Sequence, residues 1–170
     1  MPLGRAAHIA LACALVCREA SGGACPAVDC QVSAPAFYWG QSAQTYLPAP
    51  QYLQGTVSVT CTRQKAVAGT VDITLDLAGV PGILQRAMTK GGELLTYALF
   101  LNSSYTIVWG DGSNGTQSIN SLMTLKDIGR PNTGTNNYIL YGRLDGSQGG
   151  SAGHYADAVT TRLNYTLSCH

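Results

Sequence analysis

Six cysteines, three histidines and one acidic, glycine-rich loop are the places where this 170-residue chain could do chemistry. His154 lies near Asp157, but residues three apart on a strand point to opposite faces, so the two do not make a base and its orienting carboxylate. His154 reads instead as a surface residue leading into the last strand. There is no Gly-x-Ser-x-Gly elbow and no phosphate-cradling glycine loop ahead of a helix. Asp111-Gly-Ser-Asn-Gly115 looks like the start of a calcium loop, yet the bidentate glutamate of such a loop would fall at Leu122. A tight turn is the better reading. Trp39 and Trp109, each followed by glycine, could stack on a sugar, but large aromatics more often fill a sandwich core, and core is preferred. No catalytic residue, metal ligand or cofactor is assigned.

The cysteines divide by position. Arg5 and His8 precede an apolar run from Ile9 to Cys17, and small residues follow as far as Gly22-Gly23-Ala24. A charged start, an apolar centre of about nine residues and a small-residue end mark a secretory leader, expected here as residues 1–24. The run falls short of the roughly 20 apolar residues that cross a bilayer, so no transmembrane segment is expected. Acylation of Cys25 is disfavoured, because Gly22 stands where a larger apolar residue is usual. Removing the leader takes away Cys13 and Cys17 and leaves Cys25, Cys30, Cys61 and Cys169. In an exported protein these read as two disulfides with three possible pairings, of which Cys30–Cys61 with Cys25–Cys169 is favoured. Zinc is the weaker reading: Cys25-x4-Cys30 is not a zinc spacing, and no histidine clusters with it.

Charge narrows the function classes. Loss of Arg5, Arg18 and Glu19 with the leader leaves the mature chain neutral. A nucleic-acid protein would carry a basic stripe, and a disordered tail would be richer in charge than the 11% found here.

The elements that must position these residues are strands. Val57, Val59 and Cys61 share one face of their segment, as do Val71, Ile73, Leu75 and Leu77 of the next. Leu94–Leu101 is apolar on both faces, as a central strand would be, and Tyr138 and Leu140 begin another. The last segment, Tyr155–Ser168, alternates most cleanly, with Tyr155, Val159, Leu163, Tyr165 and Leu167 on its apolar side. Turn chemistry separates them at Gly79–Gly82, Gly91-Gly92, Gly110–Gly115, Pro131–Gly134 and Asp145–Gly150. Only Gly82–Met88 could form a helical turn, and it lacks an N-cap. Seven or so short strands make one all-β domain, residues 25–170, a sandwich or barrel.

The order of landmarks goes further. Cys30 and Trp39-Gly40 are followed by Val57-Ser-Val-Thr-Cys61-Thr62, Arg86-Ala-Met88, Leu95-Thr-Tyr-Ala-Leu99 and Trp109-Gly-Asp-Gly112. Tyr141-Gly142 and Gly153-His-Tyr-Ala-Asp157-Ala-Val159 close the series. This set resembles the spore coat protein U domain family, which includes subunits of archaic chaperone–usher pili, over about residues 27–167. The resemblance implies an immunoglobulin-like antiparallel β-sandwich lacking its final strand, with Cys30–Cys61 as the family's usual disulfide. It implies a secreted, non-enzymatic pilus or spore-coat subunit that passes through the periplasm to the cell surface. The implied partners are a periplasmic chaperone, an outer-membrane usher and other pilin subunits. In such subunits a partner lends the missing strand, and here the acceptor groove would be floored by Val159, Leu163, Tyr165 and Leu167.

The resemblance is incomplete at the N-terminus. A shaft subunit should carry a donor segment of ten or more alternating residues ahead of its first cysteine. Cleavage after Ala24 leaves only Cys25–Asp29, which reach at most about 18 Å and include Pro26, without a backbone donor. A Cys25–Cys169 bridge would shorten that reach. A terminal or minor subunit, or an unpolymerised coat protein, is therefore expected. The alternative is a self-complete secreted binding module, an adhesin or lectin-like domain, which would stay monomeric without a partner strand.

Overall fold

The computed structural model describes residues 8–15, 28–34, 37–38, 46–64, 68–78, 84–126 and 132–169. Its strands are β1 (His8–Leu15), β2 (Val28–Ser33), β3 (Phe37–Tyr38), β4 (Tyr46–Leu47), β5 (Gln51–Arg63) and β6 (Gly69–Ala78). They continue with β7 (Arg86–Lys90), β8 (Glu93–Phe100), β9 (Ile119–Leu125), β10 (Asn132–Leu144), β11 (Gln148–Gly149) and β12 (Ala156–Cys169). No helix occurs among the described residues.

Two layers face each other. β2, β5, β10, β8 and β7 lie side by side in one, and β9, β6 and β12 form the other, with β1 on the far side of β12 and β3 beyond it. A single pairing, Ala156 with Thr89, joins the layers. Period-two patterning explains the core: Val57, Val59, Tyr97, Leu99 and Leu140 from the first layer meet Val71, Ile73, Leu75, Met123, Val159 and Leu163 from the second. This is the expected all-β, immunoglobulin-like sandwich. β8, apolar on both faces, lies between β10 and β7. The far end of its outer face is covered too, because Tyr105 packs edge-on against Phe100 and Arg143 lies over the same ring, whereas Leu94 at the near end is exposed.

Several landmarks acquire physical reasons. Trp109 is fully buried and its indole N–H donates to the Leu75 carbonyl at 3.2 Å, so it belongs to the core; Trp39 lies outside the described residues. Cys30 and Cys61 are register partners on β2 and β5 and form a disulfide. It closes a loop worth roughly 3–5 kcal/mol in the chain-entropy model. Cys169 is also disulfide-bonded; Cys25, its expected partner, lies outside the described residues.

Two local expectations need correction. Arg86–Met88, read as the end of a possible helical turn, belongs to β7, paired along its length with β8. Asn132–Gly134, read as part of a turn, begins β10, where Gly134 pairs with Cys61. Glycine is there for packing: a Cβ on Gly134 would sit 2.8 Å from Met123 Sδ and 2.9 Å from Leu125 Cδ2 of the facing sheet.

Candidate strand-docking site

β12 is used along both edges. On one side Thr160–Cys169 pairs antiparallel with Ala78–Gly69 of β6. On the other, Ala156–Leu163 pairs with His8–Leu15 of β1, residue for residue. That second ladder is parallel. A strand following β12 through a tight hairpin would have to be antiparallel, whereas a parallel neighbour needs a long connection from elsewhere. Here the neighbour comes from ahead of β2.

The four residues expected to floor a groove divide at the end of this ladder. Val159 and Leu163 are 0% exposed, and their register partners on β1 are Leu11 and Leu15. Tyr165 and Leu167 lie past the last β1 pairing and are half-buried against the core. The Tyr165 hydroxyl donates to the Val28 carbonyl at 3.2 Å, tying the far end of β12 to β2 across the sandwich. All four belong to one face of β12, as alternation requires.

The leading end of the site is held by polar contacts that pattern reading missed. Asp157 lies on the inward face, where its Oδ2 accepts from Tyr97 OH at 2.6 Å and from Arg86 Nε at 2.9 Å. Arg86 Nε also donates to Tyr97 OH at 3.0 Å. Burial pulls the Arg86 guanidinium pKa down, but the Asp157 hydrogen bond and the neighbouring charges outweigh it and raise the group overall. Burial, and then the bond to Asp157, pushes the Tyr97 phenol well above its ordinary range. A half-buried ion pair with a third hydrogen-bonding partner resists separation, since either charge left alone would lose its partner in a poorly hydrated place. The three residues stood among the sequence landmarks, but their meeting could not be read there.

A second polar cluster fastens the chain just before β12. Glu93 Oε2 accepts from Ser151 Oγ and from Tyr155 OH, each at 2.7 Å, and Lys90 Nζ reaches both Glu93 and Ser151. Hydrogen bonds from Ser151 and then Tyr155 hold the Glu93 carboxyl down to about 2. Burial and the Glu93 bond push the Tyr155 phenol up to about 12. Gly153 allows this approach, because a Cβ there would meet the Lys90 side chain.

The other candidates from sequence are placed as follows. His154 is exposed, next to Tyr155, which is buried. The Asp111 carboxylate is engaged within its own turn, accepting from the Ser113 amide at 3.0 Å and the Ser113 hydroxyl at 2.6 Å. Among the described residues no group of three His, Cys, Asp or Glu side chains is placed to hold a metal. No helix among them is long and apolar enough to cross a membrane.

The geometry is that of a sandwich whose last strand takes a neighbour from outside the two-layer core. The family model of the Spore Coat Protein U domain matches residues 19–162. The match covers most of the chain, including β2 through the first half of β12, and leaves out β1 and the part of β12 beyond Arg162. No curated protein matches the sequence.

Proposed function

The chain belongs to the Spore Coat Protein U domain family, and from that premise we propose that it is a structural subunit of a surface pilus or coat, assembled by strand donation. In this reading residues 1–24 are an export leader and residues 25–170 the working domain. The edge of β12 opposite β6 is the acceptor. A periplasmic chaperone fills it in transit, and a neighbouring subunit fills it in the fibre. The proposal assigns the protein no catalysis.

One observation carries the reading: the position beside β12 is held by a parallel strand lying outside the family match. An unpaired edge beside Val159 and Leu163 would expose a row of backbone N–H and C=O groups next to apolar side chains, a combination that recruits an added strand. The short segment between the leader and Cys30 supports a terminal or minor place in the fibre.

The same pairing favours a second reading. If residues 8–15 stay attached in the exported protein, the sandwich completes itself and is a monomeric binding module. Affinity purification of the exported protein from its host, with intact-mass determination of its N-terminus, separates the two. A chain starting after Ala24 and bound stoichiometrically to an immunoglobulin-like chaperone is the expected result. A partner-free, stable monomer starting after Ala24 would overturn strand donation. A monomer that keeps residues 8–15 would establish the second reading.

A further inference from the structure

The outer face of the first layer carries three tyrosines that the core does not use, and we propose that they form one end of a binding site for a neutral oligosaccharide. The Tyr105 ring stands 4.7 Å from that of Tyr52 and 6.0 Å from that of Tyr141, inclined to them by 53° and 79°. The three make an aromatic corner. Tyr52 is 55% exposed, and none of the three hydroxyls has a hydrogen-bond partner among the described residues. Tyr105 is held there at a φ of +56°, a backbone conformation that is costly for a bulky side chain. Asn102 fixes its loop: Oδ1 accepts from the Thr106 and Ile107 amides at 3.1 and 3.0 Å. Asn102 Nδ2 donates to the Ser104 and Thr106 hydroxyls at 2.6 and 2.7 Å.

The strip leading away from the corner selects the ligand. Along β5 and β10 the outward register partners are Gln54 with Tyr141, Thr56 with Ile139, and Ser58 with Asn137. Among the outward side chains of β2, β5, β8 and β10 only Asp29 and Arg143 are charged. Asp29 accepts from Gln31, and Arg143 is held by Asp145 and the Phe100 ring. A nucleic acid or an anionic polysaccharide therefore meets no uncompensated cation among these side chains. A pyranose has what the strip matches: an apolar C–H face to lie on a tyrosine ring, and a rim of hydroxyls for amide groups. Gln54 is exposed, and Asn137, whose Oδ1 already accepts from Ser58 Oγ at 2.7 Å, keeps its N–H donors for a ligand. From Tyr52 to Ser58 the strip runs about 20 Å along the strand, long enough for a short oligosaccharide.

The face points away from the layer that contains β12. The site thus owes nothing to strand donation, and it stays open when the β12 edge is filled.

The test is titration of the exported protein, by calorimetry, with neutral hexasaccharides of glucose, mannose, galactose and N-acetylglucosamine, and with a heparin hexasaccharide as the anionic comparison. At least one neutral probe should bind, and more tightly than heparin. Tyr52→Thr should weaken that binding about tenfold. Its melting temperature should hardly move, because Tyr52 is exposed and threonine suits a strand. Tyr52→Phe, which keeps the ring, should bind like the parent. Failure of every neutral probe to bind even at millimolar concentration overturns the proposal. Tighter binding of heparin, or undiminished binding by Tyr52→Thr, does so as well. Self-association that Tyr52→Thr abolishes on size-exclusion chromatography, with no sugar bound, makes the corner a protein contact and also overturns it.

Discussion

The Tyr97 hydroxyl donates to Asp157 Oδ2 at 2.6 Å across a sequence separation of 60, binding the centre of one sheet to the leading end of β12 in the other. Arg86 reaches the same oxygen at 2.9 Å. The edge of β12 opposite β6 therefore begins at a polar clamp rather than in the apolar core. Its geometry depends on residues that never approach one another along the chain.

Asp157→Ala should destabilise the fold by roughly 2–3 kcal/mol, because it leaves the Arg86 guanidinium and the Tyr97 hydroxyl without their shared acceptor. Urea denaturation followed by fluorescence checks this. Asp157→Asn should cost less, since it keeps an acceptor while losing the charge. Equal stability of all three proteins would show that the clamp is incidental.

Acid should loosen the fastening ahead of β12. The folded Glu93 carboxyl is held down to about 2, from an ordinary 4.5, by the Ser151 and Tyr155 hydroxyls. A depressed folded value means the stabilising contribution is present above 4.5 and is lost as pH falls from there through 2. The Glu93 side-chain carbon shift should titrate near the lower value, and Glu93→Gln should remove this part of the acid dependence. At the alkaline end the sign reverses in pH: Tyr155, raised to about 12 from 10, contributes below 10 and loses that contribution as pH climbs toward 12.

Gly110→Ala should cost roughly 1–3 kcal/mol through overpacking, because its new Cβ would meet the Thr116 side chain. Thr116 is buried, and its hydroxyl donates to the Ser113 carbonyl at 2.7 Å, so it has little room to retreat. Gly112→Ala would meet only Ser118 Oγ at 3.6 Å, but its φ of +85° costs a side chain about 1 kcal/mol. Thermal melts of the two variants should rank Gly110→Ala as the less stable.

Along β12, Leu163→Ala should lose about 2–5 kcal/mol as a fully buried leucine, and Leu167→Ala clearly less, being half-buried. Both variants should also take up a donor peptide more weakly if their face is the groove floor. Unchanged peptide affinity in both would place the floor elsewhere.

How legible these features were in the sequence varied with how local their cause is. The alternation of Val57, Val59 and Cys61, and of Val71, Ile73 and Leu75, was read correctly because a strand with one buried face imposes its own period. β9 was missed. Ser121 occupies its inward side, where it bonds the Tyr138 hydroxyl, and Leu122 stands outward at 65% exposed, so the apolar period is broken twice in seven residues. Gly134 read as a turn because a glycine placed for tight packing between sheets cannot be told from one placed for backbone freedom until the facing Met123 is known.

Composition, period two, glycine-rich turns and the ordered landmarks determined by themselves an all-β sandwich of this family, since each is a property of neighbouring residues or of their order. The tertiary structure alone decided which strands became neighbours. It brought Arg86, Tyr97 and Asp157 from three strands to one point, and it placed His8–Leu15 parallel along β12. An apolar run such as Ile9–Leu15 has the same appearance whether it serves as a leader or as a strand. Its place is set by which edge still has backbone groups to pair, and that depends on every other pairing in the fold.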